Sequence, residues 1–461
     1  MSERWDTETD FLVVGGGGCG LAAAIAAHDA GIEAVIVEKL ERIGGNTALS
    51  TGSVPGAGTR FQREAGIDDS PERMFEDLMA LSGPHDCPEL TRLLSEGSAG
   101  LVEWLVDAAE CRMSIITDYK HLGHSVPRLH APGTRRGHDL LSDLVRSAEK
   151  RGIPIAVGNG VERLIADDDG AVVGAVLGAG RGGESRVAAA KTLLASNGYA
   201  ANKALVGEFC PEIVEATYFG ALGSTGEAIV WGRELGAGLA NMAAYQGYAA
   251  VAYPQGSLLT WTTIEKGGIV VNAAGLRFGN ENGGYSGFAA EVMAQGEVSF
   301  AVFDERAYEV ASREEEFAEL VEMGGVKRGN TPVAIAGYYD LDAAALATTI
   351  EDYNEAAAGR RPDAFGRHEF GIAPLAPPYF ISRVTPGLFH TQGGLRVDGG
   401  ARVCRDGGGI IANLFAGGGA AAGISGRAGG YGYASGNGLL TALGLGRIAG
   451  CTAARELAER A

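Results

Sequence analysis

Residues 13–20 read VVGGGGCG, and eighteen positions beyond Gly20 stands Glu38, closing the apolar run AVIVE. The frame Gly15-x-Gly17-x-x-Gly20 lies between an apolar run ending at Val14 and the alanine-rich stretch Leu21 to Ala27. Strand, glycine turn, helix, strand and acid in this order are the setting in which such a frame binds a dinucleotide. Gly15 permits the tight turn, Gly17 lets a pyrophosphate approach the backbone, and Gly20 lets helix and strand pack closely. The pyrophosphate then meets the free N–H groups and positive end of the helix, with Gly18 in its first turn. Glu38 accepts hydrogen bonds from ribose hydroxyls. The competing reading is a glycine-rich turn in some other α/β protein, against which the strand, helix and acid all stand in place.

The elements that must position this turn follow from the pattern around it. Residues 40–60 read as a loop, and helical periodicity returns over 71–110 in ERMFEDLMALS and LTRLLSEGSAGLVEWLVDAA. A polar loop spans 114–135 and a helix 137–150. A strand pair around IPIAVGNGVERLIADDDGAVVGAVL turns at DDDG. AKTLLASNG, residues 190–198, is an apolar strand running into a polar-glycine turn and offers a second backbone contact for an adenine nucleotide. Residues 241–379 change character, mixing strands such as GGIVVN with helices such as LDAAALATTIEDYNEAA, and read as an inserted domain. After Pro377-Pro378 the glycine-turn-helix pattern returns in SGNGLLTALGLGRIAG, so 380–461 is expected to rejoin residues 1–240 in the nucleotide domain.

The chain has 461 residues, enough for two cores. Its net charge of −19 argues against nucleic acid or an anionic membrane as partner. None of the six cysteines forms a CxxC pair, the N-terminus is polar, and no apolar run is long enough to span a bilayer. A reducing, cytoplasmic setting is the expectation. Loop 119–130 holds Tyr119, His121, His124, Arg128 and His130, but the histidine spacings do not match zinc patterns and no cysteine accompanies them. No metal is expected.

VVGGGGCG, VIVEK, RIGGNTALSTG, ASNGY, STGEAIVWGRELGA, GLRFGNENGGY, HTQGGLRVD, LFAGGG and SGNGLLTALGLGRIAG, in this order, resemble the fumarate reductase and succinate dehydrogenase flavoprotein superfamily, most nearly its 3-ketosteroid dehydrogenase branch. The resemblance spans nearly the whole chain. It implies an α/β fold: a Rossmann-like FAD-binding domain, 1–240 and 380–461, with an inserted α+β capping catalytic domain, 241–379. It implies FAD contacts at Gly15, Gly17, Gly18, Gly20, Glu38, Lys39, Gly45, Asn46, Thr47, Ser50, Gly52, Val161, Ala195, Asn197, Gly198, Gly418, Gly438, Leu439 and Leu440. Covalent members carry a flavin-bonding histidine in the loop that here reads Gly44-Gly45-Asn46-Thr47, so noncovalent FAD is expected. The family's acid or amide after its LYAAG stretch is Gly419 here. Fumarate reductases place a carboxylate-clamping arginine before the last helix; Tyr433 stands in its place, in Gly432-Tyr433-Ala434-Ser435-Gly436-Asn437.

A neutral phenol suits a ketone oxygen, whereas a carboxylate calls for a bidentate cation. Dehydrogenation beside a ketone needs donors to polarise the carbonyl, a base for the α-proton and a hydride acceptor. Tyr433 and the Gly436 N–H are the expected carbonyl donors. Tyr285 matches the family's catalytic tyrosine of the cap, and Ser435 relays or takes the proton with it. His390 lies where fumarate reductases place substrate-binding histidines. The family likeness also brings Tyr119, His124 and Arg128 towards the substrate. The expected activity is therefore FAD-dependent dehydrogenation α,β to a ketone, in a 3-ketosteroid or smaller cyclic ketone, with an unidentified electron acceptor. The alternative is reduction of an activated C=C bond of the fumarate or urocanate type, and a third reading is a non-catalytic FAD-binding protein.

Overall fold

A computed structural model describes residues 4–117, 120–178 and 183–460. Strand β1 (Thr7–Val14) buries its last four residues without alternation, as a central parallel strand covered on both faces does. Helix α1 (Gly18–Asp29) follows directly, apolar on every side and buried from Gly18 to Ala27. β2 (Ala34–Glu38) runs parallel to β1, Phe11 opposite Ala34 and Val14 opposite Val37. β3 (Ile155–Val157) extends the sheet beyond β2. The expected hairpin is present as β4 (Val161–Ala166) and β5 (Val172–Leu177), and β5 pairs in turn with β6 (Ser185–Leu194). β6 lies parallel to β1 on the side away from β2.

The second sheet contains β7 (Ala243–Ala252), β8 (Ile269–Val271), β9 (Ser299–Asp304) and β10 (Tyr379–Thr391) in the order β8-β9-β10-β7, all antiparallel. Helix α2 (Ala343–Ala357), capped by the Asp342 carboxylate, packs on it through Leu346, Ile350 and Tyr353. Strand β10 runs on to Thr391, and short strands at Thr217–Tyr218, Lys327–Gly329 and Ala428–Gly429 pair with this sheet as well. The second layer therefore draws on residues either side of 241–379.

β11 (Arg402–Cys404) and β12 (Ile410–Ala416) return to the first sheet, where Leu414 to Ala416 lie parallel to Thr192 to Leu194 of β6. The last helix, α3 (Asn437–Ala458), packs along α1. Glycines allow the approach: a Cβ at Gly446 would lie 2.3 Å from the Cys19 carbonyl oxygen, and one at Gly450 2.3 Å from that of Ala23. The observed architecture is thus a Rossmann-like α/β domain with an inserted α+β layer.

Two stretches without periodicity hold more structure than a loop. Residues 40–60 contain a short helix at Gly45–Leu49 and a strand at Val54–Pro55. That strand pairs with Leu129–Ala131, which also pairs with Ser114–Ile115. This region buries a small apolar cluster of Ile116, Leu129 and Ala131, and beside it Arg128, fully buried, meets Asp69 at 2.7 Å and also pairs with Asp77. No helix among the described residues is long and apolar enough to cross a membrane.

Candidate active site

The dinucleotide turn is held by close backbone contacts that only glycine tolerates. Gly15 has φ +120°, and a Cβ there would lie 2.3 Å from the Ala195 carbonyl oxygen. A Cβ at Gly20 would lie 2.0 Å from the Gly15 carbonyl oxygen. Gly17 is the extended residue ahead of α1, with no side-chain cap, which leaves the helix N–H groups open to a ligand. The Gly18 N–H donates to Thr47 Oγ1 at 3.1 Å, tying α1 to the Gly44–Thr47 turn, where Gly45 passes close to Gly17. The Glu38 carboxylate accepts from the N–H groups of Gly16 and Leu40, each at 2.9 Å. Its remaining lone pairs are free for ribose hydroxyls.

The other expected contacts gather around this turn. Asn46 Oδ1 accepts from the Ala221 N–H at 2.7 Å, and the Lys39 ammonium is held by Thr225 and Glu227, so both draw loop 221–227 over the turn. Ser50 Oγ accepts from the Gly52 N–H at 3.1 Å, shaping the loop behind it. Val161 begins β4, just after Gly160, which packs over Lys39. Asn197 adopts φ +68° between Ala195 and Gly198. Gly418 and Gly419 lie close by. A Cβ at Gly419 would fall 2.5 Å from Asn197 Oδ1, so no side chain fits at this position. At the start of α3, Leu439 and Leu440 are buried, and Gly438 faces His390 Nε2.

The expected catalytic side chains converge between α3 and the second sheet. Tyr433, 8% exposed, lies edge-on to both Tyr285 and His390, with ring centres 6.2 Å and 5.9 Å away. Tyr285 comes from the short helical turn Gly284–Gly287, His390 from β10, and Tyr433 with Ser435 and Gly436 from the turn ahead of α3. Gly436 has φ +84°, and a Cβ there would meet Pro55 at 2.8 Å. Its N–H faces the Tyr433 phenol oxygen, and the Ser435 hydroxyl faces the Tyr285 phenol.

Burial sets the charge of this cluster. It pushes the Tyr433 phenol well above its ordinary value of 10, with the nearby Tyr285 adding to the shift and the Gly436 N–H opposing it. It pushes Tyr285 up to about 12 against the opposing Ser435 hydrogen bond. It lowers His390 to about 4, so the imidazole is neutral at neutral pH. The cleft thus presents neutral phenols, a neutral imidazole, a hydroxyl and a backbone N–H. Neighbouring arginines are committed elsewhere: Arg128 to Asp69 and Asp77, and Arg427, 72% exposed, to Asp86.

Residues 10–439 match the FAD binding domain family. A probable fumarate reductase of Shewanella frigidimarina is 30% identical, across 98% of this chain and 76% of its own length. The chain belongs to the FAD-binding fumarate reductase and succinate dehydrogenase flavoprotein superfamily. The open conformation of a flavocytochrome c3 fumarate reductase superposes with a TM-score of 0.83 at 28% identity, covering 98% of this chain and 79% of that one. The 3-ketosteroid-Δ4-(5α)-dehydrogenase of Rhodococcus jostii RHA1, solved with 4-androstene-3,17-dione, superposes at 0.79 with 29% identity, covering 98% of both chains. The protein is an FAD-dependent oxidoreductase of the class acting on CH–CH or activated C=C bonds.

The residues present fit that cofactor. Ser196 Oγ, beside Ala195, and Asn437 Oδ1, at the start of α3, are buried with no protein partner, as expected where a polar ligand completes the site. Sequence reasoning missed Tyr248 and Phe389, whose rings stack at 5.4 Å and carry the aromatic surface on to Tyr285, 5.2 Å from Tyr248. Their strands are buried through most of their length rather than on alternate residues, so nothing in the spacing sets these two rings apart. His124 is buried beneath the 433–436 turn, and Arg128 faces its two aspartates. Tyr119 lies outside the described residues.

Proposed function

We propose that this protein exchanges hydrogen across a C–C bond conjugated to a neutral carbonyl, and that its working direction is reduction of the activated C=C bond of an enone. The observation that carries the carbonyl is the convergence of the Tyr433 phenol and the Gly436 N–H beside the neutral Tyr285 and His390. A phenol O–H and an amide N–H together satisfy one ketone oxygen and strengthen as negative charge grows on it. Neither compensates the two charges of a dicarboxylate. FAD, held noncovalently by the Gly15–Gly20 turn, Glu38, Gly45–Thr47, Ala195–Gly198 and the start of α3, supplies the two-electron hydride exchange. Residues 241–379 act as the cap that brings Tyr285, and the aromatic wall of Tyr248 and Phe389 excludes water from the reacting face.

The reductive direction is favoured by the fumarate and urocanate reductase relatives, and the protonated Tyr285 phenol is compatible with it. A phenol with a pKa of about 12 is fully protonated at neutral pH, so Tyr285 is loaded to give a proton to the α-carbon, with Ser435 replenishing it. The likeness to a ketosteroid dehydrogenase favours a second reading, in which the same groups run in reverse and Tyr285 takes the α-proton.

Anaerobic, reduced holoprotein mixed separately with 2-cyclohexenone, 4-androstene-3,17-dione, urocanate and fumarate tests both. Rapid return of oxidised-flavin absorbance with an enone is expected. Bleaching of oxidised enzyme by the saturated ketones instead supports the reverse direction. Reoxidation by fumarate with none by any enone overturns the carbonyl assignment.

A further inference from the structure

We propose that His124 is a positioning residue that orients and polarises the Ser435–Gly436 peptide, making the Gly436 N–H a stronger carbonyl donor. His124 Nε2 lies 2.8 Å from the Ser435 carbonyl oxygen. That oxygen and the Gly436 N–H belong to one peptide unit, so a donor on the first sharpens the second. The relay reads His124 Nε2–H to Ser435 C=O, then Gly436 N–H to the substrate carbonyl, beside the Tyr433 O–H. The inference deepens the proposed function and rests on it for the last link alone.

The geometry fixes which nitrogen carries the proton. Only an Nε2–H can donate to a carbonyl, which leaves Nδ1 bare, and Nδ1 is buried without a partner. His124 is 5% exposed, and burial lowers its pKa to about 4, so the neutral tautomer persists.

The rest of the segment holds the imidazole in place. The Ser435 N–H donates to the Leu122 carbonyl at 3.0 Å, so residues 122 and 124 clamp both sides of Ser435. A Cβ at Gly123 would lie 2.5 Å from the Ala434 Cβ, so this stretch lies flush on the turn. Below it, Asp77 accepts from the Ser125 N–H at 2.9 Å and pairs with the buried Arg128, which Asp69 also grips. A buried ion-pair cluster thus anchors a single imidazole against a single peptide.

Ser–Gly peptides occur four times in the chain, at 82–83, 286–287, 425–426 and 435–436. Carbonyl-¹³C serine with ¹⁵N-glycine labelling of the holoprotein therefore isolates four amide signals. His124→Leu removes the donor, whereas His124→Gln places an amide N–H near the same point. His124→Asn, with a shorter reach, is a second removal variant should leucine not fold. The removal variant is expected to move the Gly436 amide proton upfield, leave the other three Ser–Gly signals in place, and lower the enone-driven flavin reoxidation rate about tenfold at unchanged KM. That is less than the ~10²–10³ lost with a direct oxyanion donor. Glutamine is expected to restore both readouts. An unmoved Gly436 signal, or a moved signal with wild-type turnover, overturns the proposal. Wild-type enzyme inert to every enone overturns the functional reading instead, and the amide signal still decides the relay.

Discussion

Replacing Tyr433 by phenylalanine deletes one oxygen from a side chain that is 8% exposed and packed edge-on against Tyr285 and His390. The ring contacts survive, so the change reads the hydroxyl alone. Losing a donor to the carbonyl oxygen as charge builds there costs about 3 kcal/mol, on the order of a hundredfold in rate. Burial holds the phenol well above its ordinary value, so it stays a donor and the rate deficit is the same across the neutral range. Stopped-flow reoxidation of the reduced holoprotein by an enone measures the deficit, and the oxidised-flavin spectrum controls for cofactor loss. A wild-type rate in the variant refutes Tyr433 as the carbonyl donor.

Other outcomes follow from the same geometry. Tyr285→Phe slows enone reduction, and the wild-type reductive rate stays flat with pH until it falls near the Tyr285 pKa of about 12, whereas a rate of ketone oxidation limited by this base rises about tenfold per pH unit up to that point. A reductive rate that falls as pH rises through neutrality is incompatible with Tyr285 as donor. Gly20→Ala places a methyl carbon 2.0 Å from the Gly15 carbonyl oxygen, so the purified variant carries little flavin; full flavin occupancy refutes the assignment. Acid precipitation of the wild type sends all yellow colour to the supernatant, because no histidine stands at 44–47; flavin on the pellet contradicts noncovalent binding. His124 and His130, both buried with pKa values lowered to about 4, are protonated in the unfolded chain first. Their folded pKa lies below the unfolded one, so stability is full above about pH 6.5 and declines towards pH 4, by up to about 3 kcal/mol each. Thermal unfolding across that window measures the slope, and a melting temperature unchanged between its ends opposes it.

The nucleotide half was legible because its constraints are local. A strand, a turn that excludes Cβ atoms and a helix lie within residues 7–29, and the short contacts at Gly15 and Gly20 are what the glycine spacing encodes. The helix at 437–458 was legible for the same reason, its glycines matching the close passage along α1. What escaped depends on contacts distant in sequence. Tyr248 gains its meaning from Phe389 and Tyr285, and His124 from a carbonyl 311 positions away. Arg128 reads as a loop cation facing the substrate until Asp69 and Asp77 close around it. The raised pKa of Tyr285 is equally invisible in GNENGGY, since the burial behind it is supplied by other segments, and it keeps the phenol protonated at neutral pH.

Superfamily membership and substrate are decided at different places in the molecule. Identity of 30% across nearly the whole chain fixes the fold and the cofactor, because those depend on backbone approach repeated over many positions. Substrate charge depends on the few side chains that face the reacting face. Here the side chain replacing the arginine of the fumarate reductases is a buried phenol whose neighbours are a second phenol and a neutral histidine. Restoring the cation gives a direct test. Tyr433→Arg puts a guanidinium beside a second phenol and a neutral imidazole, so it is expected to abolish enone turnover and to leave fumarate, with its second carboxylate, unreduced. Flavin reoxidation assays with both substrates read the outcome. A Tyr433→Arg enzyme that reduces fumarate efficiently shows instead that the remaining site already accepts a dicarboxylate, and the neutral-carbonyl reading falls.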